Sequence, residues 1–235
     1  NGGGAETGTL NLPGATPFTV TGGATFDANG TASTVNYSGA AQTILSGTYR
    51  NLVLSGSGTK TTTGVTVNGK LSVGDETVGN SITYSTAILE YNGTAAQITS
   101  NNEFAASTSN IDEVIINNPA GVTLNATKTL NGDLTLTAGT LVAGTNLTMG
   151  AGGTPMITRS EGSMTGILQG TSDYDVTYTG TNKTTGPELN NGGLRDVTVS
   201  LTAGQTLTLD ATRTPDGNLS VSAFIQLFVR LVFWV

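Results

Sequence analysis

Val65-Thr66-Val67-Asn68-Gly69-Lys70-Leu71-Ser72-Val73 is the stretch that decides the fold. Valine and leucine alternate with threonine and serine, the period of two that sends successive side chains to opposite faces of a strand. The frame returns as Lys128-Thr129-Leu130-Asn131-Gly132-Asp133-Leu134-Thr135-Leu136. It returns again as Arg213-Thr214-Pro215-Asp216-Gly217-Asn218-Leu219-Ser220-Val221. Its common element is Asn/Asp, Gly, any residue, Leu, Ser/Thr and Val/Leu.

Two further blocks precede each of these copies in the same order. The first reads Val35-Asn36-Tyr37-Ser38-Gly39, Leu89-Glu90-Tyr91-Asn92-Gly93 and Val176-Thr177-Tyr178-Thr179-Gly180. The second reads Asn51-Leu52-Val53-Leu54, Glu113-Val114-Ile115-Ile116 and Asp196-Val197-Thr198-Val199. Three ordered blocks in three copies mark an internal repeat, with copies near 31–78, 84–137 and 171–222. The longer gap before Val176 reads as an insertion over Ala143 to Thr171, either a long turn or an extra rung. Asn68-Gly69, Asn92-Gly93 and Asn131-Gly132 read as turns between strands.

No stretch carries apolar residues at helical spacing among good helix formers. Short strands with Gly/Asn corners in tandem copies therefore predict an all-β chain: a parallel β-solenoid in which each coil pairs with the next. One coil cannot bury its own apolar face, whereas a stack buries a continuous column. The alternative is an array of antiparallel sandwiches. Sandwich cores favour large aromatics, and aromatics are only 6% here. Residues 1–223 are read as one repeat domain. Phe224 to Val235 is a 12-residue, nearly all-apolar segment unlike the rest. It reads as a docking strand or as sequence foreign to the repeat, and it is too short for a membrane helix, which needs about 20 residues.

Composition removes many functions. The 235 residues include no His and no Cys. That excludes a Ser-His-Asp triad, a thiol nucleophile, a haem ligand, an Fe–S cluster and an ordinary zinc site. Nine basic residues against 16 acidic ones give a net charge of −7, which disfavours nucleic acid. Charged residues are only 11%, against about 25% in ordinary domains. The surface is instead threonine, serine and asparagine, threonine alone being roughly a fifth of the chain against the usual background. No signal peptide is visible at Asn1-Gly2-Gly3-Gly4, so the chain reads as a mature or excised fragment. Freedom from cysteine suits an exported bacterial protein.

Chemistry-bearing constellations are sparse. Asp173-Tyr174-Asp175 would align two carboxylates on one face, a pair that Ca²⁺ can use, although the Asp-rich nonapeptide of calcium-binding β-rolls is missing. Asp75-Glu76 and Asp112-Glu113 are adjacent pairs, expected on opposite faces. Lys60, Lys70, Lys128, Lys183, Arg50, Arg159, Arg195, Arg213 and Arg230 are spread one per turn region. Thr-X-Thr pairs at Thr19/Thr21, Thr61/Thr63, Thr135/Thr137, Thr177/Thr179 and Thr206/Thr208 fall in different blocks, so no regular array is expected. Gly2-Gly3-Gly4 and Gly150 to Gly153 lack the lysine and helix of a phosphate loop. The sequons at Asn36 and Asn125 carry little weight in a chain this rich in Asn and Thr. No catalytic, cofactor-binding or metal-ligating residue is assigned.

Tyr37-Ser38-Gly39, then Gly47-Thr48-Tyr49-Arg50-Asn51-Leu52-Val53-Leu54-Ser55-Gly56, then Val65 to Val73 together resemble repeat regions of very large secreted bacterial surface proteins, those of Bacteroidetes-type organisms above all. The resemblance covers roughly 31 to 222 and weakens where Pro215 replaces an inward apolar residue. It implies a right-handed parallel β-helix in an exported, adhesin-like protein. The expectation is a non-enzymatic stalk or spacer on the bacterial cell surface, without cofactor or membrane span. It would lie within a longer repeat array and touch cell-surface glycans or other surface proteins weakly and many times. A carbohydrate-active β-helix enzyme and an ice-binding solenoid are the alternatives.

Overall fold

The computed structural model describes residues 7–17, 19–20, 26–108, 110–150, 153–169, 173–189, 193–212 and 216–221. Arg213, Pro215 and the segment 224–235 lie outside these residues. Of the described residues, 57% are strand and 2% helical, wound as a β-solenoid of about nine turns.

Every strand pair among the described residues is parallel. A sandwich of hairpins would have been antiparallel. Eleven strands follow one another across the principal sheet: Thr7–Leu12, Ala32–Tyr37, Gly47–Leu54, Val65–Val73, Ala87–Tyr91, Ile111–Asn117, Asp133–Ala138, Met156–Arg159, Tyr174–Gly180, Leu194–Leu201 and Leu219–Val221. The other walls are a six-stranded sheet that includes Thr140–Met149 and Ser163–Gln169, and two smaller sheets.

Register explains the repeat. Leu10, Val35, Leu52, Leu71, Leu89, Val114, Leu134, Ile157, Val176, Val197 and Leu219 pair in succession as one inward column. Two residues on, Leu12, Tyr37, Leu54, Val73, Tyr91, Ile116, Leu136, Arg159, Tyr178, Val199 and Val221 form a second. The three blocks of each copy are thus three consecutive rungs. Met156–Arg159 is one rung more, so the insertion is an added coil and not a long turn. Between the end residues of the first column every side chain is 0–4% exposed, whereas Leu10 and Leu219 at its ends are 46% and 48% exposed. Each such burial is worth about 1.5–3 kcal/mol. That exceeds the roughly 1 kcal/mol by which strand propensities differ, so the inward set determines the register.

Asn68-Gly69 is not a turn. Val65–Val73 is one continuous strand, and Asn68-Gly69 forms a bulge in it, where the pairing slips between Tyr49 and Asn51. The glycine is required because a Cβ there would lie 2.5 Å from the carbonyl oxygen of Arg50 on the rung below. Gly132 meets the Asp112 carbonyl in the same way, at a corner between Lys128–Leu130 and Asp133–Ala138.

Corners interrupt the backbone ladder, and buried polar side chains complete it. Gln42 donates through Nε2 to the Leu12 and Gly14 carbonyls at 2.7 and 2.6 Å and accepts from the Gly39 N–H at 2.9 Å. Gln97 repeats the arrangement, accepting from Gly93 N–H at 3.1 Å and donating to the Val73 carbonyl at 3.2 Å. Lys60, fully buried, donates to the Gly39 and Ala40 carbonyls and to Gln42 Oε1. Burial pushes its ammonium below the ordinary lysine range, partly offset by the Glu76 carboxylate.

All six tyrosines are buried. Their hydroxyls reach partners across the core: Tyr37 and Tyr49 meet each other at 3.1 Å, Tyr91 donates to Glu103 Oε1 at 3.1 Å, and Tyr178 donates to Glu188 Oε1 at 2.8 Å. Burial raises the phenols of Tyr49, Tyr84, Tyr91 and Tyr178, helped by Tyr37 at the first, Glu103 at the next two and Glu188 at the last. The folded chain therefore holds these protons more tightly than the unfolded chain. Their contribution to stability is complete below the ordinary phenol value of about 10 and is lost as the pH rises above it. In an alkaline titration, phenolate absorbance is expected to appear together with loss of the far-ultraviolet strand signal. Ionisation of these tyrosines with that signal intact would contradict the buried column.

Candidate functional site

The bulges have a consequence on the outside of the principal sheet. Phe26–Ala28 pairs with Gly47–Tyr49, while Ala32–Tyr37 pairs with the later part of the same strand, from Asn51. The sheet is therefore folded along a line through Arg50, Asn68 and Thr86. Bulges commonly re-aim side chains in this way. Along the line lies an open groove of about 820 Å³.

Register fixes what lines it. Thr34, Asn51, Lys70 and Ile88 pair in sequence as one outward column. Asn36, Val53, Ser72 and Glu90 form the next. Lys70 Nζ donates to Glu90 Oε2 at 2.6 Å, Ser72 Oγ donates to the same oxygen at 3.2 Å, and Asn117 Nδ2 donates to Oε1 at 3.1 Å. Burial alone would raise the Glu90 carboxyl, but these donors outweigh it and hold the group below the ordinary carboxylate range. Arg50 is exposed at the groove and makes one weak bond, from Nη1 to the Asn68 carbonyl at 3.4 Å. Asn68 donates to Asn29 Oδ1 at 3.2 Å and leaves its own buried Oδ1 without a partner. Thr86, on the rim, has φ 63°, the one positive φ outside glycine among the described residues.

A second surface lies further along the same sheet. Thr135, Thr158, Thr177, Thr198 and Ser220 occupy one outward column on five successive rungs. Two residues on, Thr179 pairs with Ser200. The Thr-X-Thr pairs do fall in different blocks, but register brings two of them together at their first residues: Thr135 and Thr177 share a column. Thr61 and Thr208 lie on other walls, and Thr21 is outside the described residues.

The remaining sequence candidates separate. Asp175 is taken by Arg195, from Nε at 3.0 Å and Nη2 at 2.6 Å, and by the Asp196 N–H at 3.1 Å, while Asp173 stays exposed. A calcium ion would have to displace that guanidinium. Asp75 is exposed and Glu76 buried, as alternation requires. Asp112 and Glu113 break the rule: both face outward, because the pairing shifts at that point. Glu113 also stands beside Asp133 on the next rung. Each is engaged, Glu113 by the Thr135 hydroxyl at 2.5 Å and Asp133 by the Met156 N–H at 2.8 Å. Arg159 is no surface cation. It fills an apolar position of the inward column, 5% exposed, and pairs with the fully buried Glu188. Lys128 is likewise internal, bonded to Asn101 Oδ1 at 2.7 Å and lying over the Phe104 ring.

The groove was not anticipated from the sequence, where Arg50 and Lys70 counted as scattered. The spacing holds the signal: Lys70 precedes Leu71 and Glu90 follows Leu89, and Leu71 pairs with Leu89. What the fold defines is a class, the parallel β-solenoid. The chain matches no protein-family model, no curated protein and no solved structure closely enough to be called related.

A β-branched residue in the left-handed region is strained by about 1–2 kcal/mol, and glycine there is free of that strain. Thr86→Gly is expected to raise unfolding stability by about 1 kcal/mol, after glycine's own entropic cost, as read from urea denaturation. A destabilised variant would show that Thr86 is held by contacts stronger than its strain.

Proposed function

We propose that this chain is a structural segment of an exported bacterial cell-surface protein, a stalk or spacer whose polar faces make weak, repeated contacts with glycans or other surface proteins. One observation supports the reading most: two inward columns run through eleven strands, apolar on every rung at both positions except where Arg159 stands. Such a core can be lengthened rung by rung without changing its cross-section. The ten spacings between eleven rungs give a rise of about 48 Å at about 4.8 Å each. Charge is sparse outside, so contact rests on hydroxyls and amides, individually weak and strengthened by number.

Beads carrying many copies are expected to hold a glycan-coated surface about 100-fold better than single chains do, and electron micrographs of the chain are expected to show a short rod. Globular particles, or binding that gains nothing from multiplicity, would overturn the reading.

The hydroxyl column supports a second reading, a face that binds an ordered lattice such as ice. Thr135 to Ser220 stand about 4.8 Å apart along the axis, and Thr179 and Ser200 lie about 6.6 Å further along their strands. Under that reading the chain depresses the freezing point below the melting point, and Thr158→Tyr together with Thr177→Tyr abolishes the gap. Freezing and melting at one temperature in the unaltered chain would dismiss it.

A further inference from the structure

We propose that the groove along the bulge line binds an acidic oligosaccharide, one whose sugars carry carboxylates, with Arg50 as the residue that grips the carboxylate. This rests on the glycan-contact part of the reading above and names the site and the ligand class for it.

The argument begins with charge. Two cations, Arg50 and Lys70, and one carboxylate, Asp112, line the groove, and Glu90 stands buried behind Lys70; these charges do not all cancel in place. Lys70 and Glu90 satisfy each other at 2.6 Å. Asp112 lines the groove three rungs from Arg50. That is about 14 Å along the axis at about 4.8 Å per rung, beyond the screening length of about 10 Å at ordinary salt. Arg50 is thus the one cation of the groove with no carboxylate within ion-pairing distance. Its planar guanidinium offers five donors in a fork that matches a carboxylate, and its only bond in the fold is the weak one to the Asn68 carbonyl.

The lining then distinguishes a sugar from a peptide. Around Arg50 stand Thr34, Asn51, Ser72 and Ser85, hydroxyls and amides that suit the hydroxyl-rich edge of a saccharide. Val53 and Ile88 supply a small apolar floor. A peptide would find neither a free strand edge, since both flanking strands are paired, nor a deep apolar pocket for an anchor side chain. The groove spans the rungs from Thr34 to Asp112, four spacings or about 19 Å, room for a short oligosaccharide lying along the axis. Lys70, held from behind by Glu90, lines the groove midway and presents a fixed donor to passing hydroxyls.

The test is calorimetric titration of the whole chain with an oligogalacturonate, the same oligosaccharide after reduction of its carboxyls, and poly-glutamate. The uronate is expected to bind at least about 10-fold more tightly than its reduced form, and more weakly as salt rises. Arg50→Ala is expected to remove that preference, Arg50→Lys to restore part of it, and Thr198→Ala, on the hydroxyl array, to leave it unchanged. Arg50 is exposed, and circular dichroism will confirm that its variants keep the strand signal. Equal affinity for the reduced sugar, an Arg50→Ala variant that binds as well as the parent, or no uronate binding at all would overturn the proposal. Poly-glutamate bound as tightly as the uronate would overturn it in favour of an acidic peptide. These failures differ from failure of the stalk reading, which turns on particle shape and on the gain from multiplicity.

Discussion

A single rung of this chain has no inside. Its leucines and valines become a core only when another rung lies above and another below, so the vertical pairing of like residues is the interaction on which everything else depends. The two inward columns show this in their exposure, nearly zero along their length and close to half at Leu10 and Leu219. Hydrophobic burial and the parallel ladder act along the same axis. A rung that shifts by one residue loses both, because every inward side chain would turn outward.

The cost of this arrangement falls at the corners. A strand within a sheet has its N–H and C=O groups paired by its neighbours, but a corner does not. The chain meets this with buried amides and lysines, Gln42 and Lys60 at one corner and Gln97 and Asn118 at an equivalent one. Such groups are expensive to bury unless their bonds are made, and here they bond carbonyls and amides of two adjacent rungs at once. The core is therefore apolar on the principal sheet and polar at its bends. The same division shapes the exterior: where the sheet bends through Arg50, Asn68 and Thr86, side chains of five rungs line one groove.

The sequence made the solenoid legible because its signal is local and repeated. A period of two identifies strands, tandem copies identify stacking, and the triads Val35 to Tyr37, Leu52 to Leu54 and Leu71 to Val73 coincide with the rungs. Two kinds of feature were hidden. Asn68-Gly69 has the composition of a hairpin turn but lies within a strand, since the need for glycine comes from the carbonyl of Arg50, a residue 19 positions away. The groove and the hydroxyl column were hidden for a related reason. They are properties of alignment between rungs whose lengths vary, 17 residues from Val35 to Leu52 but 25 from Leu89 to Val114. No fixed period lines up Lys70 with Glu90, or Thr135 with Thr177. By spacing alone Arg159 is one more basic residue of a turn region, because nothing near it in sequence announces Glu188, 29 residues on.

That ion pair carries a meaning of its own. A pile of almost interchangeable triads could thread in several ways, each offset by a whole turn and nearly equal in oil removed from water. Arg159 and Glu188 break the tie. Stranding either charge opposite a leucine would cost about 3–5 kcal/mol, so wrong threadings are penalised here, as they are at the buried Lys60 and Lys128. These charges work like the odd teeth of a key: they add little to the grip, and they leave only one way for the key to turn.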